Sequence, residues 1–156
     1  MKLLVRFLAY AIVLNCGISS AAPQLDCYVQ LVRGSDSPDP QHATAKEVGP
    51  LLGKKLKPVF KWKYYFVNQQ EKITLTKDKP SKLRLRNGSD LEIRWIADDK
   101  IEVSLRQGKT ETSRTQHRNH PELMIIEGVE SQNREPWFVV IRRNKPLNAA
   151  PDAAPK

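Results

Sequence analysis

Apolar residues recur at every second position over most of this chain. Leu83 and Leu85 alternate with Lys82, Arg84 and Arg86; Leu91, Ile93 and Trp95 with Asp90, Glu92 and Arg94; Ile101, Val103 and Leu105 with Glu102, Ser104 and Arg106. A period of two places one row of side chains on a core and the other in water, so each run predicts a half-buried strand. Ile73 and Leu75, set among threonines, read the same way, as do residues 28–33 (YVQLVR). Turn chemistry separates the runs. Asn87-Gly88 supplies two residues that accept positive φ, the strongest short hairpin signal. Asp98-Asp99 and Gln107-Gly108 mark the next two turns, the second leading into a strand over 109–115. Residues 123–126 and 137–142 are continuous apolar runs, as expected of central strands covered on both faces or strands near an inter-sheet core.

One segment breaks the pattern. In residues 43–56, Val48, Leu51, Leu52 and Leu56 fall three and four apart and form one apolar stripe. Pro50 is tolerated only in a first turn, so the predicted helix is short and starts near Gly49. The loop before it, GSDSPDPQ, is irregular by composition. Seven to nine short strands with turns every eight to twelve residues predict an all-β fold: a small antiparallel β-sandwich, or a partly open barrel, with one short helix.

The ends of the chain differ from this body. Residues 1–21 carry Lys2 and Arg6, an apolar run from Phe7 to Leu14, then small residues up to Ala21, the layout of a secretory signal peptide. The run is too short for a stable transmembrane anchor, which needs about 20 apolar residues. Cleavage after Ala21 is expected; it removes Cys16 and leaves Cys27 as the one mature thiol, unable to form an internal disulfide and expected to be buried or paired with another chain. Residues 144–156, rich in alanine and proline, are expected to form a disordered tail. Residues 22–143 then make one domain. The protein is expected to be exported, either periplasmic or extracellular.

The full chain carries 26 basic and 17 acidic residues; without Lys2 and Arg6 the balance is +7, a charge that suits anionic partners without choosing one. Positive charge and aromatic rings concentrate in KKLKPVFKWKYYFV, residues 54–67. Read as a strand from Val59, this segment turns Phe60, Trp62, Tyr64 and Phe66 to one face and Lys61, Lys63, Tyr65 and Val67 to the other. That pattern buries a row of rings and leaves the lysines in water. The competing reading keeps rings exposed, so that Lys54, Lys55, Lys57, Lys61 and Lys63 form a contact surface for a polyanion. Exposure of Trp62, Tyr64 and Tyr65 separates the two.

Catalytic signatures are absent. There is no nucleophile elbow, no phosphate-binding glycine loop and no metalloprotease helix motif. His117 and His120 lie in a polar stretch read as a loop, His42 is far off in sequence, and a zinc site wants three or four ligands. Asn87-Gly88-Ser89 matches a glycosylation pattern, but the turn explains it without help. No cofactor is expected. The composition and strand pattern point to a non-catalytic module that binds a protein partner in the cell envelope or outside the cell, or else to a basic polyanion- or glycan-binding protein using residues 54–67.

Overall fold

A computed structural model describes residues 22–38, 45–98, 100–118, 123–127 and 136–146. Residues 1–21, where a signal peptide is expected, His42, Asp99, His120 and the chain after Pro146 lie outside these. Among the described residues, nine strands and one helix follow in the order β1 (Gln24–Ser35), β2 (Lys46–Glu47), α1 (Pro50–Leu56), β3 (Tyr64–Thr76), β4 (Pro80–Arg84), β5 (Ser89–Ala97), β6 (Lys100–Gln107), β7 (Thr110–Arg118), β8 (Leu123–Glu127) and β9 (Trp137–Arg142). They form two antiparallel sheets, the first ordered β2-β3-β1-β9-β8 and the second β4-β5-β6-β7.

The period-two runs occupy the strands they predict. Leu91, Ile93 and Trp95 pair across β5 and β6 with Leu105, Val103 and Ile101, and all six are buried. Gly88 and Gly108 take φ of 87° and 61° at the turns before β5 and β7, conformations a Cβ would strain. At the first turn Leu85 N–H donates to the Ser89 carbonyl (2.8 Å), and the Asn87 Oδ1 accepts from Ser89 N–H (3.2 Å). The hairpin therefore closes around three residues rather than two.

The inward faces of both sheets share one buried cluster. Leu25, Cys27, Val29 and Leu31 of β1 and Trp137, Val139 and Ile141 of β9 meet Leu91, Ile93, Val103 and Leu105 of the second sheet. The first sheet is buried on its other face too. Val32, Phe138, Val140 and Tyr65 point outward from it and pack against Leu52 and Leu56 of α1. Gly49 caps the helix and Pro50 occupies its first turn, where a missing N–H costs nothing. Seven residues are too few for a helix to persist alone. Burial of Leu52 and Leu56, worth about 1.5–3 kcal/mol each, holds it on the sheet.

Two expectations are corrected. The strand expected from Val59 begins only at Tyr64, because the chain keeps winding after α1: Val59 and Phe60 N–H groups both donate to the Leu56 carbonyl, at 3.0 and 2.9 Å. Phe60, Trp62, Tyr65 and Val67 consequently pack together on the helix-covered cluster, so Tyr65 joins the rings instead of the lysines. His117, read as a loop residue, falls within β7. The run 123–126 fits the second of its two expected placements: among the described strands it has only β9 beside it, and its Met124 and Ile126 join the inter-sheet core, whereas β9 lies inside the sheet.

Candidate functional site

All five lysines of the basic segment, Lys54, Lys55, Lys57, Lys61 and Lys63, are exposed. They occupy the last turn of α1 and the irregular stretch after it. The rings between them serve the fold. Phe60 lies against Phe138, with centroids 4.1 Å apart. The buried Tyr65 donates its hydroxyl to the Phe60 carbonyl (3.0 Å). Trp62 is half-buried, with its indole pressed onto Gly34: a Cβ built there would lie 2.5 Å from Cδ1 and 2.6 Å from Cγ. Lys61 places its ammonium 5.3 Å from the same ring, a cation–π contact. Tyr64 is half-buried. The segment thus presents lysines to solvent and holds its largest rings against the protein.

A second feature was not anticipated from the sequence. Along the outward face of the first sheet, the rows under α1 are apolar, and the row beyond the helix turns polar. There Gln30 of β1 stands opposite Gln70 of β3 on one side and Val140 of β9 on the other. Gln30 Nε2 donates to Gln70 Oε1 at 2.8 Å. Gln30 and Gln70 floor a recess of about 420 Å³ beside α1, within the range of ~300–1,000 Å³ common for ligand sites. Leu51, Leu52, Val67 and Pro146 supply its apolar wall, and Lys46, Arg86, Arg142 and Lys145 its charge, with no Asp or Glu among the described residues that line it. Leu51 is 65 % exposed, one of the two large apolar side chains that face solvent among the described residues. Asn144, Lys145 and Pro146, which composition groups with the tail, line the recess, and Pro146 is buried.

A bulge positions the amides. The β1–β3 register shifts between Leu31, opposite Gln69, and Val32, opposite Val67, and Asn68 is the extra residue. Such bulges re-aim side chains. Here Gln69 reaches the neighbouring hairpin: its Oε1 accepts from Arg86 N–H (2.8 Å) and its Nε2 donates to the Arg84 carbonyl (3.3 Å). Arg86 Nη1 in turn donates to the Asn68 carbonyl (3.1 Å), which ties its charge to the recess.

Polar capacity is left over. Gln30 is 4 % exposed, yet its Oε1 is buried without a hydrogen-bond partner, as are Asn68 Oδ1 and Arg142 Nε. An unpaired buried polar atom costs about 1–3 kcal/mol, so three around one recess mark a place that is incomplete by itself. Desolvation lowers the Arg142 pKa from its ordinary value, although an arginine keeps its charge in any case. The sequence carried a signal for this site: Gln30 interrupts the apolar run YVQLVR, and Asn68-Gln69-Gln70 interrupts a strand.

The remaining candidate chemistry is quiet. Cys27 is buried in the inter-sheet core, and burial pushes its thiol up to about 11, against the pull of Arg143 and with a small push from Asp26. Its reactive thiolate form is suppressed at neutral pH. Among the described residues no three His, Cys, Asp or Glu side chains gather as a metal site, and no helix is long and apolar enough to cross a membrane. Comparison with known protein families, curated proteins and solved structures found no match to this chain.

Proposed function

We propose that this protein is a non-catalytic binding module, exported to the periplasm or beyond the cell, in which the two sheets form a β-sandwich and the outward face of the first sheet recognises a protein partner. The observation that carries this reading is the recess beside α1, with the buried Gln30 Oε1, Asn68 Oδ1 and Arg142 Nε all unpaired around it. Binding surfaces keep polar groups that folding alone does not satisfy, since a partner completes them. The signal-peptide pattern of residues 1–21 supports a partner in the envelope or the extracellular space.

A second reading rests on a different observation, the exposure of Lys54, Lys55, Lys57, Lys61 and Lys63 along one continuous segment. Such a segment attracts an anionic polymer through charge, without ring stacking. One experiment separates the two. Mature protein is immobilised beside two variants, one with Gln30→Leu and Arg142→Gln, the other with all five lysines changed to Gln, each checked for folding by thermal melting. Capture of a partner from envelope or culture extract that is lost only in the first variant supports the recess. Capture lost only in the lysine variant, and falling steeply with salt, supports the polyanion reading.

A further inference from the structure

The atoms left unpaired around the recess describe what is missing from it. Gln30 Oε1 and Asn68 Oδ1 are acceptors and call for donors; Arg142 Nε is a cationic donor and calls for an acceptor, best an anionic one. A ligand that completes all three carries a negative group and at least two hydrogen-bond donors. The donors must be neutral, because an ammonium would enter a recess holding Lys46, Arg86, Arg142 and Lys145 with no acidic side chain among the described residues that line it. Inorganic phosphate offers too few donors. An acidic sugar offers hydroxyls, but the apolar wall is aliphatic, with no aromatic ring on which a sugar face would stack. The exposed Leu51 asks instead for an aliphatic group.

Resting on the reading of the recess as the recognition surface, we propose that it captures the free C-terminus of a partner polypeptide whose last residue is aliphatic. The terminal carboxylate meets the Arg142 guanidinium at the end of β9. The oxygens of Gln30 and Asn68 are closed to solvent in the free protein; as the chain end enters, these side chains turn toward it and accept from main-chain N–H groups of the partner's last residues. The terminal side chain covers Leu51 and Val67. Carboxylate capture combined with a pocket for the final side chain is a recurring mode of peptide recognition, and the cavity of about 420 Å³ sits at the small end of the ligand-site range of ~300–1,000 Å³, as suits a chain end rather than a whole domain.

The test uses the full mature chain and an N-terminally fluorescein-labelled tetrapeptide, Gly-Ser-Ala-Leu, as the free acid and as the C-terminal carboxamide, followed by anisotropy. The acid is expected to bind and the amide to bind at least about tenfold more weakly, the scale of one charge-assisted hydrogen bond. Arg142→Gln should produce a similar loss for the acid and little change for the amide. Equal binding of acid and amide, or no binding of either, overturns the proposal. So does displacement of the acid by glucuronate at lower concentration than by unlabelled peptide, which assigns the recess to an acidic sugar, and so does tighter binding of a peptide of residues 149–156, which assigns it to the chain's own tail. If no peptide binds while the recess variant still loses its captured partner, the chain-end assignment fails and the binding-module reading stands. If no peptide binds and that variant keeps its partner, both fail.

Discussion

Gly34 gives a test of how the basic segment is held. Its φ lies outside the left-handed region, so alanine fits the backbone at this position of β1. In isolation such a change stabilises by about 0.4–1 kcal/mol, because it restricts the unfolded chain. The new Cβ, however, would lie 2.5 and 2.6 Å from Cδ1 and Cγ of Trp62. Cγ is the root of the indole, and the ring cannot swing clear without leaving its seat against the helix-covered cluster. Forcing an extra carbon into packed surroundings costs about 1–3 kcal/mol, so Gly34→Ala should destabilise by roughly 1–2 kcal/mol net. In a Trp62→Ala background the obstacle is gone, and the same change should be neutral or stabilise by about 0.4–1 kcal/mol. Urea unfolding of the four proteins, followed by far-ultraviolet circular dichroism so that the probe is the same with and without Trp62, gives the cycle directly, with shifts in midpoint at constant slope. A Gly34→Ala protein as stable as the wild type, or an equal cost in both backgrounds, would refute the packing of Trp62 on β1.

Other consequences follow from single contacts. Tyr65→Phe removes the hydroxyl that donates to the Phe60 carbonyl at 3.0 Å; a loss of about 1 kcal/mol in urea unfolding is expected, the usual net worth of such a bond. Cys27, buried with its thiol raised to about 11, should react with a disulfide reagent at neutral pH only as the protein unfolds, so rapid labelling of native protein would contradict its place in the core. Asp26 accepts from the Thr74 hydroxyl (2.7 Å) and pairs with Lys72 (3.0 Å), and these two hold its pKa below the ordinary value. A depressed carboxylate stabilises above its unfolded-state pKa and loses that contribution as pH falls through the folded one. With the side chain half exposed, wild type should exceed Asp26→Asn by no more than about 0.5 kcal/mol near neutrality, and the gap should close in acid; a gap that widened in acid would reverse the sign.

Where one face of a strand is wet, the sequence is legible. Leu91, Ile93 and Trp95 and their partners on β6 announce both strands and their inward rows, because alternation is the direct imprint of a half-buried sheet. The first sheet hides its pattern by being buried on both faces. Tyr28, Val29, Leu31 and Val32 of β1 are all buried, and so are Gln30 and Arg33, so residues 28–33 announce a strand but not which of its rows faces the second sheet. The period-two pattern from Val59 to Val67 misleads for a different reason: its first residues wind on from α1 instead of extending, and only tertiary contact with Phe138 and Gly34 fixes them there. The recess depends on register. Nothing local reveals that Asn68 is a bulge, or that Gln30, Gln70 and Arg142 share one outward face beyond the end of a helix from elsewhere in the chain.

The recess is tested most directly by isotope-resolved NMR of the mature protein during titration with the tetrapeptide acid. The side-chain amide signals of Gln30, Asn68 and Gln70 and the Nε–H of Arg142 are expected to move together and saturate at one concentration, while the backbone signals of residues 54–63 stay in place. Stationary recess signals, or movement confined to residues 54–63, would contradict recognition through the outward face of the first sheet.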